Sequence, residues 1–418
     1  MDHRSAAFRE RKLVDEMVVF GPCKTILDGR QIGAANMNQL LSGWVIAAAV
    51  MLLASACSDV NRPDRPNIIY ILADDLGYAE LGSYGQTRIR TPHLDDLARE
   101  GIRFTQHYSG SPVCAPSRAT LLTGLHTGHA QVRDNYELGG FLDEEERGQL
   151  PLEPGTVTLG TLLQEHGYTT AIIGKWGLGG PGSAGVPNNQ GFDYFYGYLD
   201  QKQAHNYYPT HLWRNAEWDT LRNEYFHPHQ RIDDEPADPS GYDSYKGVDY
   251  APDLMTEEAL GFIRDQRDGP FFLYLAYPIP HVALQVPDES LAEYDFEETP
   301  YLGERGYLPH PRPRAAYAAM ISRMDGYVGR VIALLRELGL DRNTLVVFSS
   351  DNGPTFNGGT DSDFFASAGP LRGLKTEVYE GGIRVPMIAW WPGRIAAGSV
   401  TDHVSAFWDV LPTVAEVT

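Results

Sequence analysis

Oxygen-bearing side chains that suit a hard metal ion occur at two places in the chain, each directly after a short apolar run. Asp74 and Asp75 follow the first run, and Asp351 and Asn352 follow the second. Three carboxylates and one amide, without a Cys or His among them, are a donor set that suits Ca²⁺ or Mg²⁺ rather than Zn²⁺. A helix cap or a solvated turn is the alternative explanation for each pair.

A lone cysteine supplies the second chemical signal. Cys114 stands near the predicted start of a helix, and Arg118 follows four residues later. A helix N-terminus and a nearby cation both favour a thiolate, so one hypothesis is a reactive thiol, and a buried structural cysteine is the alternative. A cysteine phosphatase is disfavoured, because its phosphate loop needs a longer spacing between Cys and Arg.

The elements that must position these residues follow from apolar runs and helix-capping signals. The run 65–73, RPNIIYILA, is short and β-branched, which is typical of a strand buried on both faces. In the run 91–100, Thr and Pro supply an N-cap and a first turn, which predicts a helix. Further strands are expected at 102–108, 168–173, 271–277, 344–350 and 385–391, and further helices at 116–123, 158–166, 315–338 and 406–417.

Strands that alternate with helices predict an α/β fold, a three-layer sandwich around a large, mostly parallel sheet. Ligands of such sheets gather at the carboxyl ends of the strands, so both oxygen-rich pairs are expected at one edge. In residues 177–253 the periodicity breaks down among aromatic, His, Pro and Asp residues. We expect a loop-rich insertion there, over the site.

The composition limits the classes of protein to consider. The chain has 418 residues, 42% apolar and 21% charged, which fits a globular protein and excludes a disordered, collagenous or coiled-coil chain. The net charge of −21 argues against nucleic acid as a partner, so an anionic substrate would need a local basic pocket. Three cysteines cannot form a disulfide framework.

The N-terminal region is typical of an export signal. Residues 40–56, LLSGWVIAAAVMLLASA, are apolar, end in small residues and are at or below the ~17–20 residues that span a bilayer. Residues 53–57 resemble a bacterial lipobox that ends at Cys57, with ordinary cleavage after Ala56 as the alternative. We therefore expect a presequence at 1–57, a linker at 58–65 and a catalytic domain at 66–418, in a periplasmic or lipid-anchored protein.

Several motifs resemble one enzyme family. The pentapeptide Cys114–Arg118, CAPSR, matches the C-x-P-S-R signature of the type I sulfatases, and ATLLTG continues the match. The other matching segments are PNIIYILADDLGY, TPHLDDLAREGIRFTQHY, GKW, SSDNGP and GLKTEVYEGGIRVPMIAWWPG. From about Pro66 onward, the chain therefore resembles the formylglycine-dependent, arylsulfatase-like members of the alkaline phosphatase superfamily.

In the sulfatases that the chain resembles, the motif cysteine is oxidised after translation to formylglycine, an aldehyde that is hydrated to a geminal diol. The resemblance implies that Cys114 becomes this nucleophile, through a formylglycine-generating or an anaerobic sulfatase-maturing enzyme. It also implies one Ca²⁺ per chain. The implied metal ligands are Asp74, Asp75, Asp351, Asn352 and an oxygen of the modified Cys114.

The resemblance assigns roles to further residues. Arg118 would hold the formylglycine hydrate, and Lys175 and Lys375 would bind sulfate oxygens. His281 would contact the ester oxygen, and either His281 or Lys375 would protonate the leaving alcohol after Asp351 has acted as the base for attack. These roles meet the needs of a sulfate ester, which requires cations at the sulfuryl oxygens and a proton donor at the bridging oxygen.

One position departs from the family pattern. Many relatives read G-K-W-H-L-G and use that histidine to regenerate the aldehyde, whereas this chain has Gly177 there. Either another histidine has replaced it or the enzyme is impaired. His205, among aromatic residues in DQKQAHNYYP, is the candidate that we favour, and a packed or surface histidine is the alternative. Weaker candidates are His211, His227 and His229.

The resemblance implies hydrolysis of a sulfate monoester of a carbohydrate or an aryl alcohol. One alternative is a phosphodiesterase or phosphonate monoester hydrolase of the same superfamily, and another is a glycan-binding lipoprotein that has lost catalysis. Relatives usually continue into a smaller C-terminal subdomain, so the chain is expected to be truncated after the last helix.

Overall fold

The computed structural model describes residues 65–418. The expected presequence 1–57, with its lipobox cysteine Cys57, and almost all of the expected linker lie outside these residues. Within the described part, no helix is both long enough and apolar enough to cross a membrane.

A mixed sheet runs through the described residues. Its strands are β1 (Asn67–Ala73), β2 (Ile102–Tyr108), β3 (Thr169–Lys175), β4 (Tyr194–Tyr198), β5 (His211–Arg214), β6 (Glu217–Thr220), β7 (Phe271–Ala276), β8 (Thr344–Ser350), β9 (Arg384–Trp390), β10 (Ser399–Thr401) and β11 (Ser405–Ala406). Their order is β10-β2-β9-β8-β1-β7-β3-β4-β5-β6, and β11 also pairs with β2. The central strands β8, β1, β7, β3 and β4 are parallel, whereas β9, β5 and β6 pair with their neighbours in antiparallel fashion.

Helices cover both faces of this sheet. They are α1 (Pro92–Glu100), α2 (Cys114–Thr123), α3 (Leu159–Glu165), α4 (Ala251–Asp265), α5 (Asp288–Leu291), α6 (Pro313–Glu337), α7 (Ser362–Phe365), α8 (Glu380–Ile383) and α9 (Val410–Val417). Helices α1, α4 and α6 pack on one face, and α2, α3 and α9 pack on the other. The predicted three-layer α/β sandwich is confirmed.

The side chains of β1 show why two cores form. All seven residues of the strand are buried. Ile69 and Ile71 join the core beneath α1, α4 and α6, whereas Ile68 and Tyr70 join the core beneath α2, α3 and α9. Because successive side chains of a strand point to opposite faces, an apolar residue at every position requires cover on both sides.

Two expectations about irregular regions need correction. The segment 177–253 is not all loop, because β4, β5 and β6 lie within it and extend the sheet at one edge. These strands are only four or five residues long, which is too short for a clear alternating pattern. The helix expected at 406–417 begins as a 3₁₀ turn, Phe407–Asp409, and is α-helical only from Val410.

Candidate active site

The parallel strands bring distant polar residues to one edge of the sheet. Asp74 and Asp75 follow β1, Asp351 and Asn352 follow the neighbouring β8, and Lys175 is the last residue of β3. All five side chains are buried. Cys114 is the first residue of α2, two residues earlier than the sequence predicts, and so lies at the N-terminal end of that helix.

Arg118 links the two strand ends electrostatically. Its Nε and Nη2 donate to Asp351 Oδ2 at 3.0 and 2.8 Å, and Nη2 lies 3.3 Å from Asp74 Oδ2. Lys175 Nζ contacts the same Asp74 oxygen at 2.6 Å. Burial alone would raise the pKa of Asp74, but the charges of Lys175 and Arg118 hold that pKa well below its usual range. Burial and the negative charge of Asp74 raise the pKa of Asp351 to about 7.

Asp75 contacts Asn352 of the neighbouring strand end and also two residues from elsewhere in the chain, Lys375 and His281. Its backbone has a φ of 67°, a left-handed conformation that a short polar residue such as Asp tolerates. Its carboxylate contacts Lys375 Nζ at 2.7 Å and accepts a hydrogen bond from Asn352 Nδ2 at 2.7 Å. His281 Nε2 lies 3.7 Å from Asp75 Oδ2.

Cys114 lies between Asp74 and Lys375. Its Sγ is 3.4 Å from Asp74 Oδ1 and 3.5 Å from Lys375 Nζ, and the residue is 1% exposed. Burial, reinforced by the negative charge of Asp74, raises the pKa of the thiol far above its usual range. An unmodified Cys114 is therefore a neutral thiol, which does not fit the hypothesis of a reactive thiolate.

The oxygen atoms at the strand ends fit a bound cation. Asn352 Oδ1 is buried and has no hydrogen-bond partner among the described residues. A buried carbonyl oxygen without a partner costs roughly 1–3 kcal/mol, and a cation bound beside it would remove that cost. Asp74, Asp75, Cys114 and His281 each offer a ligand atom, all within 4.8 Å of one another. The nearby carboxylates and the Asn352 carbonyl make the donor set suited to Ca²⁺ or Mg²⁺.

His281 is held in one tautomer. Its Nδ1 lies 2.5 Å from the carbonyl oxygen of Val282, so Nδ1 carries the proton and donates it. Burial and the charge of Lys375 lower the pKa of His281 to about 4. The neutral ring therefore presents the lone pair of Nε2 toward Asp75 and the site.

His205 borders the same site through His281. The two rings stack with centroids 5.0 Å apart and an interplanar angle of 15°. On its other side, His205 Nδ1 lies 3.0 Å from His229 Nε2. Of the weaker candidates, His211 is not in this cluster: its Nε2 contacts Glu146 at 3.3 Å.

Gln201 is the side chain that lies next to Gly177, and no sequence pattern indicates this contact. Gly177 has a φ of 78°, and a Cβ added there would lie 2.4 Å from Gln201 Nε2. The Gln201 side chain therefore occupies the space next to Gly177, and its buried Nε2 has no hydrogen-bond partner within residues 65–418.

Asn135 is a second residue that sequence reasoning missed. Its Oδ1 accepts a hydrogen bond of 2.8 Å from the backbone N–H of Ala115, in the first turn of α2. This hydrogen bond stabilises the turn that carries Cys114. Its position in an irregular loop offers no pattern from which this contact could be predicted.

Comparison with known protein sequences identifies one enzyme family. A family model described as Sulfatase matches residues 66–418. Steryl-sulfatase of Rattus norvegicus is 32% identical over 433 residues, covering 88% of this chain and 70% of the relative. Arylsulfatase A of Homo sapiens is 35% identical over 378 residues, covering 88% of this chain and 66% of the relative. The chain thus spans roughly two thirds of these relatives.

Solved structures show the same fold. A crystal structure of Ps i-CgsB in complex with k-i-k-neocarrahexaose superposes with a TM-score of 0.68 and 30% identity, covering 84% of this chain and 72% of that one. The phosphonate monoester hydrolase of Agrobacterium radiobacter has a TM-score of 0.55 and 20% identity, covering 84% of this chain and 73% of that one. The second likeness is of fold alone.

Proposed function

Since the chain belongs to the sulfatase family, we propose that it hydrolyses a sulfate monoester at the site formed by Cys114 and the surrounding charges. The observation that carries this proposal is the position of Cys114 Sγ, within 3.5 Å of both Asp74 and Lys375 and at the N-terminal end of α2. A nucleophile at this position would have cations beside it for the sulfuryl oxygens.

The charge balance supports an anionic substrate in a chain whose net charge is −21. Three buried carboxylates, Asp74, Asp75 and Asp351, are matched by the cations Arg118, Lys175 and Lys375. A divalent cation would leave the site with two excess positive charges, and the singly charged sulfate monoester would offset part of this excess. An anion in a buried pocket requires such compensation, because an uncompensated buried charge is strongly unfavourable.

Two groups complete the proposed site. A formylglycine hydrate derived from Cys114 would supply a hydroxyl nucleophile and a second hydroxyl whose deprotonation expels sulfate. A Ca²⁺ ion held by Asp74, Asp75, Asp351, Asn352 and the modified Cys114 would supply positive charge to the sulfuryl oxygens. The partner that installs the aldehyde would be a formylglycine-generating or an anaerobic sulfatase-maturing enzyme.

The remaining roles belong to side chains of this chain. Arg118 orients Asp351 and Asp74, and we place the bound sulfate against Lys175 and Lys375. Lys375 is the better proton donor for the leaving oxygen, because neutral His281 directs a lone pair, not an N–H, toward the site. Removing a positioned electrostatic partner of this kind typically lowers turnover by ~10²–10³-fold.

For the substrate, we favour a sulfated carbohydrate. N-acetylgalactosamine-6-sulfatase of Rattus norvegicus is 33% identical to this chain, and the Ps i-CgsB structure contains an oligosaccharide. A phosphonate or phosphodiester substrate is the alternative that the assay below tests. Within residues 65–418 only one cluster of potential metal ligands is found, whereas phosphoryl-transfer relatives usually have ligands for a second metal.

Two measurements test the proposed function. Mass spectrometry of the peptide that contains Cys114 should find an aldehyde after expression with a maturation enzyme. The same protein should hydrolyse p-nitrophenyl sulfate faster than p-nitrophenyl phosphate or a phenylphosphonate ester, and Cys114→Ala should abolish the turnover. An unmodified thiol together with no sulfate-ester hydrolysis would defeat the proposal.

A further inference from the structure

A chain of hydrogen bonds leads from a backbone amide to His205. The backbone N–H of Tyr307 donates to His229 Nδ1 at 3.3 Å, so Nδ1 of His229 carries a lone pair. A neutral imidazole has one N–H, which must therefore be on Nε2. That atom lies 3.0 Å from His205 Nδ1. His205 Nδ1 thus accepts the hydrogen bond, and the proton of His205 is on Nε2.

From this geometry we propose that His229 is a positioning residue that locks His205 as a neutral hydrogen-bond donor, with its Nε2–H directed to an oxygen of the bound sulfate ester. The proposal deepens the proposed function and rests on it for the identity of the ester. It replaces the role of regenerating base that we expected for His205, since a nitrogen that already carries a proton cannot accept another.

Neither ring has a free position for a second proton. A proton added to His205 would have to sit on Nδ1, facing the N–H of His229. A proton added to His229 would sit on its Nδ1, facing the N–H of Tyr307. Each change would turn a hydrogen bond into a contact between two donors, which is unfavourable in a partly buried site.

The surroundings reinforce the neutral state. Burial lowers the pKa of His205 far below its ordinary value, and the positive charges of Lys175 and Lys375 add to this effect. Burial and neighbouring His227 lower the pKa of His229 to about 4. The rings of Phe141 and Tyr307 pack against both histidines and add no charge at neutral pH.

The Nε2–H of His205 does not face His229. Nδ1 faces His229, whereas Nε2, which is separated from Nδ1 by one ring carbon, points in a different direction. No hydrogen bond to Nε2 is found within residues 65–418. The ring lies parallel to that of His281, whose own Nε2 is 3.7 Å from Asp75 Oδ2. His205 would thus offer the substrate a hydrogen-bond donor beside the ring of His281.

Matched substitutions of His229 test whether this residue fixes the tautomer of His205. In His229→Gln, the amide N–H can still donate to His205 Nδ1, whereas in His229→Glu the carboxylate would accept and would move the proton of His205 to Nδ1. We expect kcat for p-nitrophenyl sulfate to fall at least about tenfold further in the Glu variant than in the Gln variant, with KM changed less. The Glu variant should also gain an ionisation in its kcat–pH profile, because its carboxylate stabilises a cationic His205.

Substitutions of His205 itself separate a donor from a base. Gln retains an N–H donor but cannot accept a proton, so His205→Gln should keep at least about tenfold more turnover than His205→Ala. If both variants are equally inactive and give a burst of alcohol release without further turnover, His205 is a base and the proposal is wrong. Equal kcat values for the two His229 variants would also overturn it.

A spectroscopic measurement is independent of activity. Long-range ¹H–¹⁵N NMR spectra of the full wild-type chain distinguish protonated from unprotonated imidazole nitrogens, and the signal lost in His205→Gln identifies His205. We expect Nε2–H at neutral pH, and Nδ1–H would overturn the proposal. If the spectrum shows Nε2–H but no sulfate ester is hydrolysed, the proposed function fails while the tautomer assignment stands.

Discussion

Removal of calcium provides a quantitative test of the metal site. Ligand binding to the folded state alone stabilises it by about 2.7 kcal/mol when the free ligand is at 100 times its Kd. Unfolding entropy is about 2.1 cal/mol/K per residue, so a folded body of about 350 residues gains roughly 4 °C in Tm from that energy. Saturating Ca²⁺ should therefore raise Tm by about 4 °C relative to protein in EGTA.

Asn352→Leu should remove most of this shift. The substitution deletes the unpartnered Oδ1 and the 2.7 Å hydrogen bond to Asp75. If the lost ligand weakens the site about 100-fold, the same Ca²⁺ concentration would equal Kd and stabilise by only about 0.4 kcal/mol, or roughly 0.5 °C. In EGTA two effects of the substitution oppose each other, because Leu removes the cost of the unpartnered Oδ1 but also leaves one oxygen of Asp75 without a buried hydrogen bond.

Asn67→Leu is the matched control. Asn67 is also buried, but it lies at the amino end of β1, where Nδ2 donates to Thr344 Oγ1 at 3.3 Å. This variant should have a lower Tm than wild type in EGTA and should keep the full calcium shift. Differential scanning calorimetry at one scan rate measures all three proteins. A wild-type Tm that does not respond to Ca²⁺, or an Asn352→Leu protein that responds fully, would refute the assignment of this metal site.

Further variants test other parts of the site. Gly177→His should lower Tm and not raise turnover, because the side chain would adopt a left-handed φ, at about 1–2 kcal/mol, and collide with Gln201; a more active variant would contradict this. Lys175→Ala should lower kcat/KM for p-nitrophenyl sulfate by ~10²-fold or more, and a loss below threefold would argue against contact with sulfate. Asn135→Ala should lower Tm by about 1–3 °C, because the backbone N–H of Ala115 in the first turn of α2 loses its hydrogen-bond acceptor. An unchanged Tm in calorimetry would show that this hydrogen bond does not stabilise the protein.

The sequence predicted most regular elements of the sheet because their signals are local. In β1, apolar residues at every position require burial on both faces, and the structure places Asn67–Ala73 in the centre of the sheet. The strands of 177–253 were missed because β4, β5 and β6 are short and take their stability from sheet neighbours rather than from their own pattern.

The chemistry-bearing residues were visible as residue types, but their contacts were not. The motif around Cys114 and the oxygen-rich strand ends follow from residue types, spacing and resemblance. The hydrogen bond between His205 and His229 joins the last residue of a 3₁₀ turn to a loop residue without any periodic relation, so no sequence pattern could predict it. Gln201 is a similar case, since only the fold places its amide beside Gly177.

The sequence alone therefore determined the family, the α/β fold and the set of groups available for chemistry, because these depend on residue type and short-range spacing. The tertiary structure decided which carboxylate each cation contacts, that an unmodified Cys114 is a neutral thiol, and which nitrogen of His205 carries the proton. These properties depend on burial and on contacts between residues far apart in the chain, such as Tyr307 and His229, whose donors and acceptors are paired only when the chain folds.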